Sequence, residues 1–305
     1  MTTSNNSTDK QKCGIIAIVG APNAGKSTLL NYMIGGKLSI VTPKVQTTRF
    51  NIRGIYTHEN SQLVFIDTPG IFNPDKKFEQ AMVSAAWSAI SDSDIVLLLI
   101  DAAKGINDGL LTIISKLKEK TDKPVCLLLN KIDAIKKSEL FDLAAACDKV
   151  GNFHKIFMVS ALKGSGVSDV TSYLANNIPA HPWLYPDAQI SDISMRMLAA
   201  EITREKLFLR LNKEIPYSIM VETESWDEKD NSIKIAQAIY VQKEGQKKIV
   251  IGKNGAMLKA IGIASRKELE KLTDKKIHLS LFVKIKERWK DNSETYKLLG
   301  LEFKR

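Results

Sequence analysis

The sequence predicts an α/β protein in which a doubly wound, mainly parallel sheet is followed by a smaller α+β domain. Three observations predict this fold. Short apolar runs alternate with helix-length segments over residues 15–177, the alternation stops in a proline-rich stretch at 176–192, and a different order of elements follows. A chain of 305 residues is also long enough for about two domains, each with its own core.

Five runs in the first part are nearly continuous in apolar character, as strands buried on both faces should be. They are IIAIV (15–19), LVFID (63–67), DIVLLLID (94–101), VCLLLN (125–130) and KIFMVS (155–160). Helix-length segments lie between them, at 26–34, 78–90, 109–120 and 138–149. Ligands of such sheets bind beyond the carboxyl ends of the strands, so functional residues are expected directly after each run.

The second part has a different pattern. A helical spacing of apolar residues covers 193–212, strand-like segments follow at 217–223 and 233–241, and a glycine turn leads into a helix near 255–272 and a last strand at 276–286. The predicted organisation is therefore a disordered tail at 1–12, a first domain at 13–178, a linker at 179–192, and a second domain with a C-terminal tail at 193–305.

Charge is concentrated in the second part. The formal net charge is +10, and residues 240–290 hold 14 Lys and Arg against 5 Asp and Glu. This excess favours a polyanionic partner. The three cysteines and four histidines are scattered without metal-ligand spacing, and the longest purely apolar run, IVLLLI at 95–100, is too short to span a bilayer. A reducing cytoplasm is the expected location.

The stretch GAPNAGKST at 20–28 fits the phosphate-binding pattern G-x-x-x-x-G-K-[ST] and lies between a strand and a helix. Backbone N–H groups and the positive end of the helix would hold phosphate there. Lys26 would reach the β- and γ-phosphates, and the Ser27 hydroxyl would bind Mg²⁺. The other predicted nucleotide contacts in this loop are Gly20, Ala21, Asn23, Ala24, Gly25 and Thr28.

Two elements after the loop complete the phosphate and base contacts. In DTPG, Asp67 can hold Mg²⁺ through its hydration shell, and the Gly70 N–H can sense the γ-phosphate. In NKID, the Asp133 carboxylate can accept hydrogen bonds from N1–H and N2–H₂ of guanine, a donor pair that adenine lacks at that edge. Asn130 can contact the base at N7, and the Lys131 stem can pack on the ring.

A third element, SALKG, begins at Ser160 and Ala161, where the last strand ends. It would place a backbone N–H near O6 of guanine. The order and spacing of the three elements predict a guanine-nucleotide site and hydrolysis of GTP to GDP.

The second glycine turn, IGKNG, is G-x-x-G and lacks the G-K-[ST] that a triphosphate needs. Two glycines around a short loop between helices let a single-stranded nucleic acid approach closely, as in KH domains, which clamp about four nucleotides. The helix–strand–strand–helix–helix–strand order of a type II KH domain fits 193–286. The predicted RNA contacts are Lys247, Lys248, Ile251, Gly252, Lys253, Asn254, Gly255 and Lys259.

With both glycine turns in place, the sequence resembles the Era-like family of bacterial ribosome-assembly GTPases, in the translation-factor-related class of P-loop GTPases, over essentially all of 13–300. The resemblance implies that the RNA is the 3′ end of small-subunit 16S rRNA, that the chain acts in assembly of the 30S subunit, and that it is a monomer. It also allows peripheral association with the inner membrane.

The resemblance assigns roles around the γ-phosphate as well. The polar segment 42–49 would be a mobile effector loop in which Thr48, with Thr47 as the alternative, binds Mg²⁺; these threonines could instead only begin a strand. Lys26, Thr48 and Gly70 are the predicted catalytic residues. Many GTPases place a water-orienting glutamine where this chain has Ile71, so slow intrinsic turnover is expected. Asn23 fits a pattern that relatives use to bind K⁺.

Three functions stay open from the sequence. The first is a GTP-hydrolysing switch whose nucleotide controls how the KH domain presents itself to rRNA. The second is a constitutive RNA anchor whose GTPase half signals to a separate protein. The third is a GTPase held at the membrane surface by its basic charge.

Overall fold

The computed structural model describes residues 11–303. The chain divides into two compact units. The first unit contains the residues up to Leu38 together with Phe50–Pro74 and Met82–Asp192. The second contains Ser39–Arg49, Asp75–Ala81 and the chain from Ile193 onward. Two short segments of the N-terminal half are therefore folded as part of the second unit.

The first unit is built on a six-stranded sheet with the strand order β2-β3-β1-β4-β5-β6. All neighbouring strands are parallel except β2, which runs antiparallel to β3. The strands are β1 (Lys12–Val19), β2 (Ile52–His58), β3 (Ser61–Asp67), β4 (Ile95–Asp101), β5 (Val125–Asn130) and β6 (Lys155–Val159). The predicted doubly wound, mainly parallel sheet is confirmed.

Five helices belong to this part of the chain: α1 (Lys26–Ile34), α2 (Lys77–Ser91), α3 (Asp108–Lys120), α4 (Lys137–Val150) and α5 (Val167–Asn177). The central strands β4 and β5 are buried except at one end residue each, because they consist mainly of Leu, Ile and Val. Strand β2 was not among the predicted strands. It lies at the edge of the sheet, where a strand can carry the polar and glycine residues of IRGIYTH.

The proline-rich segment 179–192 is held along the first unit. Its backbone is bonded to the buried Gln62, whose Oε1 accepts from the N–H groups of Leu184 and Tyr185, both at 3.0 Å. Ile55 N donates to Ile190 O at 2.9 Å. Since each of these bonds satisfies a polar group at or near the sheet, the segment is part of the unit's structure rather than a free spacer.

The second unit has a three-stranded sheet of order β7-β8-β9, in which β7 and β8 are antiparallel and β8 and β9 are parallel. Its elements are α6 (Met195–Arg210), β7 (Met220–Lys229), β8 (Ser232–Val241), α7 (Glu244–Ile251), α8 (Ala256–Thr273), β9 (Lys276–Ile285) and α9 (Ser293–Leu298). From α6 to β9 the order is the predicted helix–strand–strand–helix–helix–strand.

The two ends of the chain differ from the sequence prediction. Residues 1–10 of the predicted disordered tail lie outside the described residues, and Lys12 already belongs to β1. The C-terminal segment is folded rather than a tail, because Trp289 and Tyr296 are buried and α9 follows β9. Within residues 11–303, no helix is long and apolar enough to cross a membrane.

Candidate functional site

The first glycine turn connects β1 to α1. Gly25 has φ of 102°, and a Cβ at that position would lie 2.3 Å from Asn130 Nδ2, so only glycine fits. Asn23 is also left-handed, with φ of 62°. In the described chain no side chain caps the start of α1, whose first N–H groups therefore face the loop. This geometry forms an anion-binding helix N-terminus.

Lys26 is buried at the base of this loop, with 6% of its surface exposed. Its ammonium donates to the carbonyl oxygens of Gly20 and Ala21, at 3.1 and 3.0 Å. Burial lowers the pKa of Lys26 to about 8, against the opposing attraction of Asp67. The loop thus holds a cation whose charge is costly until an anion such as phosphate is bound.

A hydroxyl and a carboxylate meet beside the lysine. Ser27 Oγ donates to Asp67 Oδ2 at 2.7 Å, and Asp67 is fully buried at the end of β3. Hard oxygen donors of this kind suit Mg²⁺, which keeps several of its waters and binds few protein groups. Among the described residues there is no cluster of three His, Cys, Asp or Glu that could hold a metal. The Ser27–Asp67 pair fits a Mg²⁺ that is shared with phosphate oxygens.

The DTPG element is tied to the phosphate loop. Ile71 N donates to Gly20 O at 3.0 Å, which holds Gly70 beside the loop. The Ile71 side chain is buried in the apolar core with Val19, Ile66 and their neighbours. It therefore packs in the core and, as an aliphatic group, cannot orient an attacking water.

Thr48 is folded within segment 39–49, which belongs to the second unit. It is buried, whereas Thr47 is half-buried. The hydroxyl of Thr47 bonds within the segment, to Lys44 O and to Thr42 Oγ1, both at 2.7 Å. The predicted role of Thr48 as a Mg²⁺ ligand stays a prediction.

The predicted base-recognition residues lie together beyond β5 and β6. Ser160 Oγ donates to Asp133 Oδ1 at 2.6 Å, and this bond is the main cause of a lowered Asp133 pKa. Asp133 is therefore kept ionised, as an acceptor for two guanine donors must be. Lys131 has φ of 66° and its ammonium pairs with Asp101 Oδ2 at 2.7 Å. Asp101, at the end of β4, was not singled out from the sequence.

Asn130 connects the base side of the site to the phosphate side. It is almost fully buried, its Nδ2 donates to Ala24 O at 2.7 Å, and its Oδ1 accepts from Ala161 N at 2.9 Å. One amide N–H is thus used to hold the phosphate loop, and the second is what a contact to N7 would use. The predicted N7 contact of Asn130 and the predicted O6 contact of Ala161 both stay predictions; the Ala161 N–H is bonded to Asn130.

The second glycine turn lies between α7 and α8. Gly252 has φ of 75°, and a Cβ there would lie 2.7 Å from Met257 Cβ, so the turn requires glycine at this position. Lys253 and Lys259 are exposed, as is Lys248 on α7, while Lys247 and Ile251 are half-buried. The turn therefore has exposed lysines within it and on both flanking helices, as a contact to a phosphate backbone needs.

A groove of about 380 Å³ lies beside this turn, along α8 and β9. It is lined by Gly255, Leu258, Lys259, Gly262, Ile263, Arg266, Leu279 and Leu281. Only Gly255 and Lys259 of this set were predicted as RNA contacts, because the prediction followed lysines near the turn. The spacing of Leu258, Gly262 and Arg266 by four residues along the helix, and of Leu279 and Leu281 along the strand, was the available signal. Aliphatic walls can pack against unpaired bases, and the cations Lys259 and Arg266 can bind the phosphates.

The fold and the two sites define the class of protein: a P-loop GTPase joined to a KH domain. A family model described as "50S ribosome-binding GTPase" matches residues 15–131, and one described as "KH domain" matches residues 214–290.

Comparison with known proteins gives the family. The chain is 54% identical to GTPase Era of Mesorhizobium japonicum, with 95% of this chain and 94% of the relative covered. It is 51% identical to GTPase Era of Sinorhizobium medicae, covering 96% and 94%. Two solved structures each match at 36% identity and a TM-score of 0.91, covering 95% of this chain and 99% of theirs. One is Era with MgGDPNP and nucleotides 1506–1542 of 16S ribosomal RNA, and the other is a point variant of Aquifex aeolicus Era bound to GDP·AlF4⁻. The chain belongs to the Era family of GTPases.

Proposed function

We propose that this GTPase binds 16S rRNA near its 3′ end through the turn 252–255 and the groove beside it, and assists maturation of the 30S subunit. In this proposal the bound nucleotide controls how the KH domain presents itself to rRNA. The observation that carries it is the likeness, over 95% of the chain, to an Era structure that contains both a GTP analogue and nucleotides 1506–1542 of 16S rRNA. The basic turn and the groove support the same interpretation from this chain's own residues.

Each group at the nucleotide site has a proposed role. Lys26 and backbone N–H groups of the loop 20–28, in which Pro22 has none, bind phosphate, and Asp133 selects guanine. Ser27 and Asp67 hold Mg²⁺, with Thr48 as a further ligand; the metal would neutralise phosphate charge when bound. Gly70 N–H senses the γ-phosphate. Because Ile71 packs in the core, we expect slow intrinsic hydrolysis.

Potassium is a further part of the proposal. Asn23 lies in the phosphate loop with a left-handed backbone, and its side-chain oxygen would help to hold K⁺ beside the phosphates. A cation there would supply charge that an arginine finger supplies in other GTPases. The test is turnover in KCl against NaCl for wild type and Asn23→Ala. Equal rates in the two salts for wild type would dismiss this role.

RNA binding is tested with two lysines of one helix. Lys259 is in the first turn of α8 beside the groove, and Lys271 is in its last turn, about 18 Å away at the rise of an α-helix. With an RNA fragment of the 16S 3′ end, Lys259→Ala should lower the RNA affinity several-fold. It should also reduce the slope of log K against log salt concentration by roughly 0.7 in magnitude. Lys271→Ala should not. Equal effects of the two variants, or equal affinity for a scrambled RNA, would contradict the proposal.

Location and assembly state complete the proposal: a cytoplasmic monomer with peripheral association at the inner membrane. Basic charge near the RNA turn is the supporting feature, since it also attracts anionic lipid. Flotation with anionic vesicles tests the association, and competition by the 16S fragment would indicate that lipid and RNA use the same surface.

An alternative function is that of a constitutive RNA anchor, in which the RNA affinity is equal with GDP and with a GTP analogue.

A further inference from the structure

Arg49 is buried at the end of segment 39–49, with 2% of its surface exposed. Its guanidinium donates to three carbonyl oxygens near the start of β7. Nη1 is 2.6 Å from Ile219 O, and Nη2 is 3.3 Å from both Pro216 O and Tyr217 O. The planar fork of an arginine is what allows one side chain to satisfy several acceptors at once.

Three aromatic rings surround the same guanidinium. Its carbon lies 5.9 Å from the ring centroid of Phe78, 5.7 Å from that of Phe208 and 5.5 Å from that of Trp289. Phe78 and Trp289 also contact each other edge to face, at 5.4 Å. Phe78 belongs to segment 75–81, which follows the DTPG element along the chain. One arginine thus contacts residues from three separate parts of the second unit.

Segment 39–49 has further bonds to α6 and its end. Val41 N donates to Glu205 Oε1 at 2.9 Å, and Lys44 Nζ donates to Leu211 O at 2.7 Å and to Phe208 O. Arg204 donates to Thr47 O. The segment that carries Thr48 is therefore bonded to the rest of the second unit at four positions between Val41 and Arg49.

Displacing the buried guanidinium of Arg49 from these acceptors and rings would be costly. Such a buried cation is stable only with its acceptors and rings in place. If the segment moved away, Ile219 O and its neighbours would lose their donor, so partial displacement would be costly.

We propose that Arg49 is a positioning residue that holds segment 39–49, and through the adjacent peptide Thr48, on the RNA-binding unit, so that nucleotide binding and RNA binding are energetically linked. This inference rests on the proposed function. Thr48 and Arg49 are neighbours in the chain, so a γ-phosphate that orders Thr48 acts on the Arg49 contacts as well. By linkage, the factor by which a GTP analogue changes RNA affinity equals the factor by which RNA changes the analogue's affinity.

The test measures that factor, the ratio of the RNA Kd with GDP to that with a non-hydrolysable GTP analogue, in the full-length chain. The RNA is a 16S 3′ fragment. Arg49→Met keeps an unbranched apolar stem but removes the guanidinium with its charge and donors, so the ratio should fall to within about twofold of 1. Arg49→Lys should be intermediate, because an ammonium restores the charge but not the fork.

The control is Arg196→Met. Arg196 is exposed on α6 and donates to Thr223 O and Glu224 O, at 2.8 and 3.0 Å, without a contact to segment 39–49 among the bonds of the described chain. This variant should keep the wild-type ratio. RNA affinity with GDP and the urea midpoint show whether the second unit of each variant is folded.

The outcomes separate this inference from the proposed function. Equal RNA affinities in wild type would refute the nucleotide-controlled switch, and the role of Arg49 would fall with it. A wild-type ratio that Arg49→Met leaves unchanged would overturn the role of Arg49 alone. If Arg49→Met does not fold, Lys44→Met removes two bonds of the same segment to carbonyls of Phe208 and Leu211, and should also lower the ratio; an unchanged ratio there is equally a refutation.

Discussion

Raising the pH from 7 to 9 should weaken guanine-nucleotide binding about tenfold through Lys26 alone. Without nucleotide, burial holds the pKa of this lysine at about 8, below its ordinary 10.5. A bound phosphate favours the charged form and raises the pKa, so binding is strongest while Lys26 is already protonated. The affinity is therefore nearly full at pH 7, decreases through about pH 8 and continues to fall above it. If the bound pKa lies well above 9, the loss at pH 9 is about 1.4 kcal/mol.

The assay is calorimetric titration with GDP at pH 7, 8 and 9 in two buffers of different ionisation enthalpy, which reports proton uptake directly. The number of protons taken up on GDP binding should rise from near zero at pH 7 toward one at pH 9. Lys26→Arg is the matched control, because a guanidinium stays charged across this range. Lys26→Met removes the charge altogether. Equal pH slopes in wild type and Lys26→Arg would refute the reasoning, as would a wild-type change of less than twofold.

Three further predictions follow from single side chains. Asp133→Asn places an amide N–H₂ against the guanine donors, so GTP affinity should fall about 100-fold while the xanthine nucleotide, with an acceptor at position 2, gains; competition binding with GTP and XTP measures this. Ile71→Gln should leave GTP turnover within about threefold of wild type, because position 71 faces the core, and should lower stability by about 1–3 kcal/mol in urea unfolding; fast hydrolysis in this variant would be inconsistent with the structure. Trp289→Ala should destabilise the second unit by about 3–5 kcal/mol, since the indole is fully buried and its N–H bonds to Ser218 O at 2.9 Å; urea unfolding followed by circular dichroism measures the loss, and GDP binding, which should persist, reports on the first unit.

Much of the fold could be predicted because its signals are local. Buried strands such as LVFID and VCLLLN are nearly continuous apolar runs, and the segments between them have the length of helices. Strand β2 was missed for a local reason too, since IRGIYTH is polar in part and is an edge strand that contacts only β3 within the sheet. The folded C-terminal segment was missed because Trp289 is buried by distant residues, Phe78 among them.

The candidate sites show the same division. Gly25, Lys26 and Asp133 are recognisable because their chemistry depends on fixed spacing within a few residues of a strand end. The Asn130 bonds to Ala24 and Ala161 span more than a hundred and about thirty residues, and no pattern in the sequence predicts them. The groove wall at Leu279 and Leu281 is likewise formed only when β9 pairs with β8.

The sequence alone predicted the chemistry proposed for this protein: a phosphate loop, a carboxylate that would bind guanine, and a basic glycine turn that would bind a nucleic acid strand. Each depends on neighbours in the chain and on hydrophobic periodicity. Three other features became visible only in the folded chain: segment 39–49 folds with the second unit, Gln62 holds the proline-rich segment, and Arg49 lies among three aromatic rings. These contacts join residues far apart in sequence, and they are selected by the packing and hydrogen-bond satisfaction of the whole chain.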